Sequence, residues 1–156
     1  HNVEALRDVS GWDERFITSQ DSDLSMRMLA AGWQLWRSDI SSVYMHKRSS
    51  LSNWWKMCHR YGFWRTKVVL KHPKRLDVRE FLPLFGLVMI FTLHQWWWAP
   101  ATYAVALLLM GLVYRQKGST SSILGIPICL VILHTAFTIG LFDGLLRAGR
   151  VPSDRS

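Results

Sequence analysis

The chain has 156 residues, 49% of them hydrophobic and 19% charged, with a formal net charge of +8 and nine tryptophans. That length allows one modest domain, and its two distant cysteines, Cys58 and Cys129, are not the framework of a small disulfide-stapled secreted protein. The basic residues concentrate just before an apolar block, where lipid headgroups account for them, so nucleic acid is not expected as a partner.

The first residues, "HNVEALRDVSGW", lack the basic start and apolar core of a signal peptide, and there is no initiating Met. A preceding N-terminal part is therefore expected. The next stretch, "GWDERFITSQDSDLSMRM", gathers Asp13, Glu14, Gln20, Asp21 and Asp23 around apolar residues in a chain that is otherwise basic. From Asp21 the pattern turns helical. Leu24, Met28 and Ala31 recur at helical spacing, Gly32 is a natural stop, and Asp21 or Ser22 can cap the start. Taken alone, Asp21 and Asp23 suit helix capping better than chemistry. "WQLWRSDISSVYMHK" then offers two short runs rich in Trp, Leu, Val and Tyr, which read as strands. Loop, helix and two strands make residues 1–49 look like the tail of an α/β domain.

A long helix is predicted from about Ser50 to Lys71, ended by Pro73. Lys56, Arg60, Lys67 and Lys71 fall within a sector of roughly 60° at 3.6 residues per turn. Leu51, Trp54, Cys58, Tyr61 and Val69 gather opposite. This describes an amphipathic helix lying on a membrane, its basic stripe against anionic headgroups, with residues 50–80 as interface helix and linker. Arg65 breaks the pattern by projecting from the apolar face. A guanidinium there requires an anionic partner, and a phosphate fits.

Residues 81–146 are almost continuously apolar. Spans are predicted at about 81–97, 100–114 and 123–146, the first two forming a hairpin whose tip carries Trp96, Trp97 and Trp98. His134 is expected to hydrogen-bond a neighbouring helix, since polar groups in lipid require partners. The Lys and Arg residues between Lys56 and Arg79 place the N-terminal part in the cytoplasm. Arg147, Arg150 and Arg155 in the polar tail, 147–156, do not follow that rule if all three segments span.

"SGWDERFITSQDSDLSMRMLAAGWQLW" resembles the acceptor-side segment of family 2 glycosyltransferases of the GT-A fold, with its G-G-F-D-E-x-F and E-D-x-D-L runs. "SSVYMHKRSSLSNWWKMCHRYGFWRTKVVLKHP" is similar to the succinoglycan-synthesis type, with its Y-x-x-R-x-S-L and R-Y-G-x-W-R-x-x-V runs, and "PICLVILHTAFTIGLFDGLL" is similar to that group's last hydrophobic segment. The resemblance implies the C-terminal part of a GT-A domain, an interface helix and about three transmembrane helices, mostly helical overall. It implies an inverting transfer from a nucleotide sugar to a carbohydrate or lipid-linked acceptor in cell-surface polysaccharide synthesis, at a bacterial inner membrane. The nucleotide-binding half would lie outside this chain, which alone would be inactive.

In that family the aspartate of the E-D pair is the catalytic base, and it maps onto Asp21. The family's glutamate is Gln20 here, which removes a negative charge from beside Asp21. His46, Arg60 and Arg65 become candidates for the positive charge beside the leaving diphosphate. Processive relatives carry Q-x-x-R-W; here Arg60 is kept, Tyr61 stands for Trp and Gln is absent, which argues against processive synthesis. Tyr61 and Trp64 are candidates to stack on a sugar, and Asp13 and Glu14 to shape the loop or touch the acceptor. Asp23 is expected to support Asp21 or pair with Arg27 at helical spacing. The resemblance also implies a divalent metal, Mg or Mn, bound mostly by the missing half. Within this chain, His46 and the D-x-D look of Asp21–Asp23 are the metal candidates. The competing reading is a non-catalytic membrane anchoring or assembly protein.

Overall fold

The computed structural model describes residues 2–36, 42–44, 49–92, 95–114 and 121–147. Helix α1 spans Val3–Asp8 and is capped by Asn2, whose side chain accepts the Glu4 N–H at 2.9 Å. The chain turns through Ser10 and Gly11, both at positive φ, and reaches α2, Gln20–Ala30. Neither Asp21 nor Ser22 caps α2. Ser19 stands at the N-cap with φ 63° and makes no side-chain cap bond, which leaves Asp21 inside the first turn. Gly32, at φ 89°, ends the helix as the sequence predicts.

Helix α3 runs Leu51–Lys71, capped by the Ser50 hydroxyl accepting from the Asn53 N–H at 3.2 Å. Short 3-10 turns at Pro73–Arg75 and Val78–Phe81 lead into α4 (Leu82–Thr92), α5 (Trp98–Val113) and α6 (Ser121–Leu146). The expected strands are not found among the described residues: 33–36 and 42–44 are irregular, and the rest of that stretch lies outside them. Strands need paired neighbours to persist.

The backbone of the molecule is the seam between α3 and α6. Trp54 Nε1 donates to the Cys129 carbonyl at 3.0 Å, Thr66 Oγ1 to the Leu141 carbonyl at 3.0 Å, and Lys67 Nζ to the Arg147 carbonyl at 2.7 Å. The pairs advance together along both helices, so α3 and α6 are parallel. Glycines permit the approach. A Cβ on Gly62 would lie 2.1 Å from the Phe137 carbonyl oxygen, and one on Gly140 would lie 2.1 Å from that of His59. Gly144 faces the Phe63 carbonyl in the same way, and Ala136 is fully buried. Small residues every fourth position on α6 (Ala136, Gly140, Gly144) thus meet Cys58, Gly62 and Thr66 on α3, a close crossing of the small-xxx-small kind.

This docking revises the surface-helix expectation for α3. Of its predicted apolar face, Cys58 is buried but Leu51 and Tyr61 are exposed, while Phe63 and Val68, outside that face, are buried. Two members of the basic stripe have partners inside the protein: Lys67 at the Arg147 carbonyl, and Lys71 at Asp13 and Asp23. The periodicity was dominated by charge, whereas the packing follows the small residues.

The apolar block forms three helices among the described residues, close to the predicted segments. Among the described residues one helix, Ile123–Leu146, is long and apolar enough to cross a membrane. Helix α4 has only 11 residues and α5 has 16. Helix α5 lies antiparallel to α6, with Tyr103 Oη 2.7 Å from His134 Nδ1 and the Gly111 Cα hydrogens against the Ile123 carbonyl. His134 therefore has the interhelical partner expected of it. Leu84 of α4 shares a cavity with Leu141 and Leu145, at the other end of α6. Apolar side chains remain outside on these helices, including Phe85, Val105, Leu109, Leu124 and Leu145.

Candidate active site

Two small clusters anchor the polar part to this frame. Ala5, Leu24 and Met28 join α1 to α2, and Phe16, Phe63, Trp64 and Val68 clamp the loop before α2 onto the outer side of α3. Phe16 and Trp64 have ring centroids 5.6 Å apart. Trp64 is therefore packed in this core, 3% exposed, with an edge toward the cavity that Arg60 also lines.

Asp23 is the hub that fixes the first turn of α2. It is fully buried. Its carboxylate accepts from Arg27 Nε at 2.9 Å, meets Lys71 Nζ at 2.6 Å and lies 2.8 Å from His72 Nε2. Burial pushes its pKa up, but hydrogen bonds from Lys71, His72 and Arg27 outweigh that and hold it below the usual carboxylate value. Arg27 continues the network by donating to the carbonyls of Val9 and, at 2.7 Å, Gly11. The Arg27 contact was legible from spacing. Lys71 and His72 come from 48 and 49 residues away, and no local pattern pointed to them.

Asp13 belongs to the same structural set. Arg15 and Lys71 both bind it, at 2.8 and 2.7 Å. Hydrogen bonds from Arg15 and then Lys71 hold its carboxyl far below the usual range. Both of its oxygens are engaged, Oδ1 by Arg15 and Oδ2 by Arg15 and Lys71. Glu14 is exposed on the surface of this loop. The Gln20 side chain turns back to donate to the Phe16 carbonyl, tightening the entry to α2.

With Asp23 turned inward, Asp21 faces the other way. It lines a cleft of about 510 Å³ together with Thr18, Ser19, Tyr61, Arg65 and, from α6, Phe137. Three residues singled out from sequence, Asp21, Tyr61 and Arg65, thus share one cavity although 40 residues of chain or more separate the first from the others. Burial, then repulsion from Arg75, lowers the Arg65 pKa, with Asp77 opposing. Guanidinium stays charged at neutral pH, so this is a cation whose desolvation favours an anionic ligand. Arg60 is not in this cleft. It lines a second cavity on the opposite flank of α3, with His59, Phe63 and Asp143.

The Asp21–Asp23 pair does not form a metal site. One carboxylate opens to the cleft, and the other is buried among Arg27, Lys71 and His72. No cluster of three or more His, Cys, Asp or Glu side chains suited to a metal occurs among the described residues. His46 lies outside them.

The profile of glycosyl transferase family group 2 matches residues 2–143. The chain belongs to that family. It is 34% identical over 82 residues to the succinoglycan biosynthesis protein ExoA of Rhizobium meliloti (strain 1021), covering 53% of this chain and 25% of that protein. It is 32% identical over 71 residues to the pre-mycofactocin glycosyltransferase of Mycobacterium tuberculosis (strain CDC 1551 / Oshkosh), covering 46% of this chain and 15% of that protein. The matches thus span a quarter or less of these curated relatives. No solved structure matches the chain.

Proposed function

We propose that this chain is the acceptor-side and membrane-anchoring part of an inverting family 2 glycosyltransferase with Asp21 as its general base. The supporting observation is the shared cleft of Asp21, Tyr61 and Arg65 in a chain of this family. In this reading Asp21 takes the proton from an acceptor hydroxyl as that oxygen attacks the anomeric carbon of a nucleotide sugar. The bond from that carbon to the diphosphate breaks, and the nucleoside diphosphate leaves with the electron pair. Arg65 offsets the charge that develops on the leaving diphosphate. Tyr61, with an exposed ring at the cleft wall, packs on a sugar.

Leu133 and Phe137 bring the apolar helix α6 into the cleft wall. An acceptor with an apolar portion suits that wall, which favours a lipid-linked acceptor in polysaccharide synthesis over a free sugar. Helix α6 is then the membrane anchor, and the cleft stands at the cytoplasmic face of a bacterial inner membrane. A divalent metal beside the diphosphate does not fit the described residues of this chain, so no step is assigned to one here.

Asp21→Asn in the intact protein tests the reading. Sugar transfer should be lost while nucleotide-sugar binding is kept, as measured by radiolabelled transfer and equilibrium binding on the same preparation. Transfer at the unmodified rate would remove Asp21 from the mechanism.

A further inference from the structure

The second cavity, on the opposite flank of the α3–α6 seam, also has a volume of about 510 Å³ and takes no part in the reaction described above. Its walls are apolar, with Phe63, Ile139 and Phe142 among them. Its polar side carries His59 and Arg60 from α3 and Asp143 and Arg147 from α6.

The charges there do not cancel. Asp143 is committed to Arg147, with Nε to Oδ1 at 2.6 Å, and lies 3.7 Å from His59 Nε2. Arg60 is left over. Its Nε is buried with no hydrogen-bond partner among the described residues. A guanidinium N–H withdrawn from water and unpaired costs more than an ordinary hydrogen bond contributes, so an arrangement that supplies an acceptor is favoured. The cavity also sits at the C-terminal end of α6, the one described helix able to cross a membrane, where hydrocarbon would give way to headgroups.

We propose that this cavity binds an anionic phospholipid, its phosphate on Arg60 and its acyl chain along the exposed Ile139 and Phe142. The inference rests on the reading of α6 as a membrane anchor but not on the catalytic role of Asp21. The lipid secures the α3–α6 seam at the bilayer edge, on the side away from the cleft. Inorganic phosphate offers the same anion without the tail, and phosphatidylcholine offers the tail without net charge, so the two separate the parts of the claim.

The test uses the full chain in detergent micelles, titrated with short-chain phosphatidylglycerol, phosphatidylcholine or inorganic phosphate and followed by calorimetry. Phosphatidylglycerol is expected to bind at least tenfold more tightly than either of the others. Arg60→Gln and Ile139→Trp, which remove the phosphate contact and fill the apolar wall, should each weaken it by about tenfold or more. Lys56→Gln, an exposed change on the same helix, should leave it unaltered. Equal binding of both lipids, equal binding of phosphate alone, or equal losses in Arg60→Gln and Lys56→Gln would each overturn the proposal. Binding is read directly, so an inactive Asp21 mechanism would not be mistaken for a failed lipid site.

Discussion

Two aspartates one residue apart have opposite fates, and that contrast carries the site. Asp21 opens to the cleft, while Asp23 is sealed among Arg27, Lys71 and His72. Removing the buried charge should be costly, because it leaves Arg27 without its carboxylate partner in a largely desolvated place. Asp23→Asn is expected to destabilise the protein by about 3–5 kcal/mol, as read by chemical denaturation. Its folded pKa is depressed, so its stabilising contribution is fully present above the unfolded value near ~4 and is lost as pH falls through the folded value. Asp13 shifts in the same direction. Acidification below about pH 4 should therefore loosen α2 from the end of α3, and Asp23→Asn should flatten that acid limb. An acid limb unchanged by the substitution would place the pH dependence elsewhere. The sequence offered Asp21, Tyr61 and Arg65 through motif and wheel position. It did not offer Lys71 and His72, because no local pattern reports a contact nearly 50 residues away, nor that Trp64 would be spent on packing.

Helices α2 and α3 were legible as elements, since Gly32, Ser50 and Pro73 are strong local punctuation. What α3 packs against was not. Its charge periodicity suggested a lipid surface, yet the contact is made by Gly62 and Thr66 against Gly140 and Gly144. Glycine carries no hydrophobic signal, so a close crossing of this kind escapes a wheel built on apolarity. Substitution can weigh the two effects of glycine. Alanine gains roughly 1 kcal/mol of helix propensity at any interior position. At Gly140 a Cβ would sit 2.1 Å from a backbone oxygen, and separating two backbones costs about 1–3 kcal/mol or more. Gly140→Ala is expected to destabilise, and Gly125→Ala, with open space around it, to be neutral or slightly stabilising. The same thermal shift for both would show that the seam is not closely packed.

At the scale of the whole molecule, local chemistry built on α2 is set beside a long apolar helix. Three spans were expected from length and hydropathy alone. Among the described residues one helix is of spanning length, beside the shorter apolar helix α5. If α6 anchors the chain, the protein should stay with membranes through alkaline carbonate washing, and Leu133→Glu with Val131→Glu should release it. Release of the unmodified protein would argue that α6 is instead covered by other protein. The central claim remains chemical, that the Asp21 carboxylate takes the acceptor proton in the cleft walled by Leu133 and Phe137 of this helix. A general base contributes typically about 10²–10⁴-fold. The most direct measurement is the single-turnover rate of sugar transfer by the intact protein in membranes, for Asp21→Asn beside Glu14→Gln. The account predicts a loss of about 100-fold or more for the first and little change for the second. Equal rates for Asp21→Asn and the unmodified protein would contradict it.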